Sequence, residues 1–129
     1  MIERRNVSSG SPYEPTIGFS RAVRVGDRIV VSGTGPVWPD GSCPDDAEVQ
    51  ALRCLDIIGE ALAEAGAGPA DVIRTRMFLV DVDDAVAVGR AHGARFGGIR
   101  PAASMVVVQG LLDPRWRVEI EAEAVVGDR

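Results

Sequence analysis

The chain has 129 residues and a formal net charge of −5, with 14 cationic side chains, all arginine, against 19 acidic ones. That balance argues against non-specific nucleic-acid binding, which needs a cationic excess. Hydrophobic residues make up 46% and aromatics only 5%, so the core must be aliphatic. No apolar run approaches the ~20 residues of a membrane span, and Met1 to Arg5 contains no apolar signal core, so the expected location is the cytosol. Residues 1–129 read as a single domain, since no repeat, low-complexity tract or linker divides them.

From the N-terminus, Asn6 to Ser11 is small and polar and leads into Pro12 and Pro15, which suits an irregular crossing segment. Arg21 to Val25 and Arg28 to Ser32 are short strand candidates joined by a Gly26-Asp27 turn. Gly33 to Pro44 holds three glycines and three prolines and reads as loop. Asp45 to Ala65 is the best helix, with Asp45 as its expected cap, Glu48 completing a capping box and Gly66 stopping it. Leu52, Leu55, Ile58, Gly59 and Leu62 form its apolar stripe.

Ala70 to Val80 reads as a strand with Ile73, Thr75, Met77 and Leu79 on one face and Arg74, Arg76 and Phe78 on the other. Asp83 to Phe96 is a weaker helix, thinned by Gly89 and Gly93 and ended by Gly97-Gly98. Two further strands follow, Arg100 to Val108 and Arg117 to Val126. The latter alternates Val118, Ile120 and Ala122 with Glu119, Glu121 and Glu123. The order predicts an α+β two-layer sandwich, a mixed sheet with both helices on one face. Its other face would carry Arg74, Arg76, Glu119 and Glu121, a charge complement suited to solvent or to another subunit.

Little in the chain points to metal or nucleotide chemistry. His92 is the only histidine and lies mid-helix, so neither a metal site nor a His-centred triad is supported. Val-Val-Ser32-Gly33-Thr-Gly looks superficially like a phosphate loop but lacks the lysine one needs. Cys43 and Cys54 form no C-x-x-C and read as reduced thiols. Glu119 is a candidate general acid or base, and its alternative role is an ion pair with Arg74 or Arg76.

The run Arg100-Pro101-Ala102-Ala103-Ser104-Met105-Val106-Val107-Val108, with Val118-Glu119-Ile120-Glu121-Ala122 after it, resembles the end of the RidA/YjgF family, also labelled endoribonuclease L-PSP. Ile17 to Val23, Val30 to Gly33 and Met77 to Asp81 agree with it in order, so the likeness covers about residues 4 to 126. The resemblance implies a chorismate mutase-like subunit and a homotrimer around a central β-barrel, with clefts between subunits that bind small metabolites. It implies enamine or imine hydrolysis (deamination) without a cofactor. Glu119 would be catalytic, and Phe19, Ser32, Gly33, Ala103 and Met105 would meet substrate.

This sequence departs from the family pattern in the Pro-Ala-Arg-Ser motif, whose arginine forks a substrate carboxylate. Here the position is Ala103, and Met105 stands where cysteine is frequent. Phe19 replaces a tyrosine, and Gly89 stands where some deaminating members have asparagine. An apolar wall of Ala103 and Met105 predicts an altered pocket, with Arg100 as the candidate substitute cation on the opposite strand face. The other function class open to such a pocket is non-catalytic metabolite binding. Ribonuclease activity follows from the family label alone.

Overall fold

The computed structural model describes residues 2–127. Six strands form one mixed sheet: β1 Arg4–Val7, β2 Ala22–Val25, β3 Arg28–Thr34, β4 Val72–Leu79, β5 Ala102–Val107 and β6 Val118–Val125. Their order across the sheet is β1-β2-β3-β6-β4-β5, antiparallel throughout except for the parallel β4–β5 pair. Two helices, α1 Ala47–Glu64 and α2 Ala85–Phe96, cover one face, which is the α+β two-layer sandwich the pattern predicts.

β6 is central because it is the most regular amphipathic strand. Val118, Ile120, Ala122 and Ala124 are buried beneath α1, and the intervening glutamates face away from the helices. On α1 the buried stripe runs through Ala47, Ala51, Leu55, Ile58 and Leu62. Each fully covered leucine or isoleucine contributes about 1.5–3 kcal/mol. Leu52 and Gly59 lie beside that stripe rather than at its centre.

Four local expectations are corrected. First, Arg4–Val7 is a strand: only Val7 of the four is buried, so this edge strand has no alternation to detect. Second, β3 runs on to Thr34 through a bulge between Val31 and Thr34, which carries the strand into the glycine-rich stretch. Third, Ile73 is exposed, because an irregularity between Val72 and Arg74 gives the inward place to Val72 instead. Fourth, the α1 cap is Asp46, whose carboxylate accepts from the Val49 amide at 3.0 Å. Asp45 instead binds Arg117 at 2.7 Å, and Glu48 binds Arg90 at 2.8 Å. Asp46→Ala is expected to destabilise the protein by about 1 kcal/mol in denaturant melts, and Asp45→Ala by less.

Gly66 stops α1 as expected: at φ 86° it takes the left-handed conformation that lets the Ala67 amide reach back to the Leu62 carbonyl. Buried Gln50 then fastens the start of α1 to the entry of β6. Its amide donates to the Pro44 and Arg115 carbonyls, and its oxygen accepts from the Arg117 amide at 2.7 Å. This cross-tie fixes the register in which β6 presents Glu119.

Candidate active site

Glu119 is the second residue of β6, beside the C-terminal end of β3. Its side chain makes no hydrogen bond or ion pair with any described residue: its register partner on β4 is the apolar Phe78, and toward β3 it meets Gly33. A Cβ built on Gly33 would lie 2.9 Å from Glu119 Oε2, so the absence of a side chain there makes room for the carboxyl. Burial raises the Glu119 pKa above the ordinary carboxylate range, and Glu121 adds to the rise while Arg21 opposes it. The result is a half-buried carboxyl that exchanges protons closer to neutral pH than an exposed one.

Glu119 lines a broad open cleft of about 1120 Å³. Phe19, Arg21 and Gly33 share its wall, Tyr13 and Ile17 form part of the rim, and Trp116 closes it on the side of the loop before β6. Gly35 is what admits Trp116, since a Cβ there would lie 2.5 Å from the indole. The segment Ser8 to Glu14 is shaped by Glu14, which is buried: Oε1 accepts from Ser8 Oγ at 2.8 Å, and Oε2 from the Ser9 amide and hydroxyl at 2.9 and 2.6 Å. The Ser9 hydroxyl is the main cause holding the Glu14 carboxyl below its usual range.

Of the residues singled out from sequence, one chain brings Phe19, Gly33 and Glu119 together in this cleft. Ser32 turns elsewhere: its hydroxyl donates to the Ser20 carbonyl at 2.6 Å, and it borders a shallow hollow on the open sheet face. Ala103 and Met105 share a face, as alternation requires. Register with Thr75 and Met77 shows it is the face toward the helices, on edge strand β5, with β4 between them and β6. They stand near α2, where a Cβ on Gly89 would lie 4.0 Å from Met105 Cε.

Arg100 takes a left-handed backbone conformation (φ 57°) where α2 gives way to β5, and its amide donates to the Phe96 carbonyl. It does not line the Glu119 cleft. Sequence reasoning also passed over Arg21, which is in the cleft. Its position just before β2 gives no pattern, and the bulge in β3 that brings Gly33 to it is invisible in sequence.

On the open sheet face, Arg76 pairs with Glu121 at 2.9 Å and lies 3.9 Å from Glu123, leaving Glu119 outside the network. Glu121→Gln is therefore expected to lower the melting temperature, by an amount equivalent to at most about 1 kcal/mol for such partly exposed pairs. Equal destabilisation by Glu119→Gln would contradict the separation of the two carboxylates. His92 Nε2 lies 2.8 Å from the Thr75 hydroxyl and packs on Phe96, and burial lowers its pKa. No described cluster of His, Cys, Asp and Glu is arranged to hold a metal ion, and no described helix is long and apolar enough to cross a membrane. Cys43 and Cys54 are both free thiols, and burial pushes each pKa up.

Comparison with known proteins matches residues 10–126 to the family model "Endoribonuclease L-PSP". The fold superposes with a TM-score of 0.89 on Rv2704 of Mycobacterium tuberculosis, described as a member of the YjgF/YER057c/UK114 family. That match is 45% identical and covers 96% of this chain and all of the other. The Streptomyces coelicolor protein SCO2049 is 44% identical over 95% of this chain and 92% of its own length. A 2-iminobutanoate/2-iminopropanoate deaminase of Escherichia coli is 33% identical over 83% of this chain and 86% of its own. With the motifs, the sheet order and these matches in agreement, the chain belongs to the endoribonuclease L-PSP family, the RidA/YjgF proteins.

Proposed function

We propose that the protein is an imine or enamine hydrolase acting on small metabolites, with Glu119 as its general acid and base. The observation that carries this reading is a half-buried, unpaired carboxyl with a raised pKa, held open to a cleft by a glycine. Such a group is suited to taking up and releasing a proton at higher pH than an exposed carboxylate does. Water adds to the carbon of the protonated imine, and Glu119 takes the proton that water loses. The carbinolamine nitrogen then gains that proton back from Glu119, the C–N bond breaks, ammonia leaves, and the hydroxyl proton passes to the Glu119 carboxylate as the ketone forms. The E. coli relative's activity on 2-iminobutanoate supports the reaction class.

The working unit in this reading is a cytoplasmic homotrimer with its sites between subunits. Two features support that. All six residues of β5 are exposed on an edge strand, and Arg74 and Arg76 project from the uncovered face of the sheet. A neighbouring subunit would bring Ala103 and Met105 to the Glu119 cleft that their own chain keeps them from. A second reading, metabolite binding without turnover, is favoured by one observation: the apolar pair Ala103 and Met105 stands where the resemblance implies a substrate-gripping arginine. Imines generated in situ by an amino-acid oxidase separate the two. Faster release of the keto acid in the presence of the protein supports hydrolysis. Binding without acceleration for aliphatic and aromatic imines alike supports the second reading.

A further inference from the structure

Arg21 precedes β2, where its amide donates to the Val7 carbonyl at 2.8 Å and its carbonyl accepts from the Ser32 amide at 3.0 Å. Both strand neighbours therefore fix its backbone. Its side chain, which is half-buried, enters the Glu119 cleft, and Nη2 donates to the Gly33 carbonyl at 2.6 Å. That is the single side-chain hydrogen bond Arg21 makes among the described residues, out of the five N–H donors a guanidinium carries. Nε is sealed from solvent with no partner, and no described carboxylate lies within ion-pairing distance.

The two acids nearest in charge do not neutralise it. Glu14 is already saturated by Ser8 and Ser9, and Glu119 is disfavoured in its charged form by burial. Burial likewise pulls the Arg21 pKa below its ordinary value. A half-buried guanidinium with donors to spare is costly to leave unpaired, and a bound anion relieves that cost. The other cations of the cleft are differently placed. Arg115 is occupied by Asp113 and the Gly41 carbonyl, and Arg53 reaches the cleft from α1 with Nε on the Val37 carbonyl.

We infer that Arg21 is the anion-recognition residue of this cleft, and that its ligand is a small monocarboxylate with an apolar substituent. One charge fits better than two, because the ionised Glu14 acts on the guanidinium and would repel a dianion such as phosphate more strongly than a monoanion. The apolar part follows from Phe19, Ile17 and Trp116 around the same space. A guanidinium suits a carboxylate because two N–H groups meet two oxygens. Arg21 thus takes the role that Ala103 lacks the side chain to perform, within a cleft that Arg100 of the same chain does not line. A carboxylate seated there would also offset the positive charge acting on Glu119 and strengthen that carboxyl's hold on the proton it takes from water.

The inference builds on the proposed function but is tested without turnover. Butanoate and its neutral isostere butanamide are titrated by NMR into the full-length wild type, Arg21→Gln, Arg21→Lys and Arg53→Gln. The expected result is that butanoate shifts the Gly33 amide and Trp116 indole signals, at least tenfold more weakly in Arg21→Gln. Arg53→Gln should resemble wild type, and butanamide should bind weakly everywhere. Should Arg21→Gln lose its folded spectrum, Arg21→Lys decides: it keeps the charge but not the fork, so partial weakening of butanoate binding is expected. Equal butanoate affinity in wild type and both Arg21 variants overturns the inference. So does equal affinity for butanamide, loss of binding in Arg53→Gln instead, or no wild-type binding at all. If Arg21 proves necessary for binding while no imine is turned over, the hydrolase reading fails and this one stands.

Discussion

Glu119→Gln is expected to reduce imine hydrolysis by at least about 100-fold and, at the same time, to make the protein more stable at neutral pH. The first effect follows from the role assigned to the carboxyl, since positioned acid–base groups contribute ~10²–10⁴ in rate. The amide is nearly isosteric and preserves the fit against Gly33, so a loss of rate cannot be blamed on altered shape.

The second effect follows from linkage. A folded-state pKa raised above the unfolded value means that the folded protein binds the proton more tightly. Stability from this group is thus fully present below the unfolded value of 4.5 and is lost as pH rises through the folded pKa. The neutral amide removes that loss. Paired melts at pH 4 and pH 7.5 should therefore show near-equal stability at the lower pH and a higher melting temperature for the variant at the upper one. Retained turnover would remove Glu119 from the chemistry. A variant less stable than wild type at pH 7.5 would show that the charged carboxylate is held by contacts stronger than its burial cost.

The parts of this protein that were legible in sequence are those where one residue repeats a signal set by its neighbours. The alternation of β6 located both sheet faces, and the stripe on α1 together with Gly66 located the helix and its end. The failures have a common physical origin, in that the backbone departs from a regular period. The bulge in β3 moves Gly33 into line with Glu119, the irregularity before Arg74 turns Ile73 outward, and β1 buries too little to leave a pattern. Arg21 was hidden for the same reason. Its meaning depends on a neighbour twelve residues away whose position only the bulge determines. Of the residues chosen through the family likeness, Phe19 ahead of β2, Gly33 on β3 and Glu119 on β6 come together within one chain. Ala103 and Met105 do not join them, because sheet order separates them from β6 by a whole strand.

That separation leads to the sharpest expectation about assembly. If the complete site joins Glu119 of one subunit to the β5 wall of another, then Glu119→Gln and Ala103→Trp should each be inactive alone, the first chemically and the second by filling the cleft. Both positions lie outside the core, and Ala103 is exposed on an edge strand, so both variants should fold and sediment as trimers. Unfolding the two, mixing them and refolding together should then restore activity. With random exchange in a ring of like interfaces, about a quarter of the sites would pair an intact Glu119 with an intact β5 wall. Recovery to about that fraction of wild type is expected only if two chains build each site. No recovery in mixed trimers would place the whole site within one chain, and full activity of Ala103→Trp alone would remove β5 from it. A monomer in sedimentation equilibrium at micromolar concentration would exclude a shared site altogether, leaving the single-chain cleft around Phe19, Arg21, Gly33, Trp116 and Glu119 as the wall a substrate could meet.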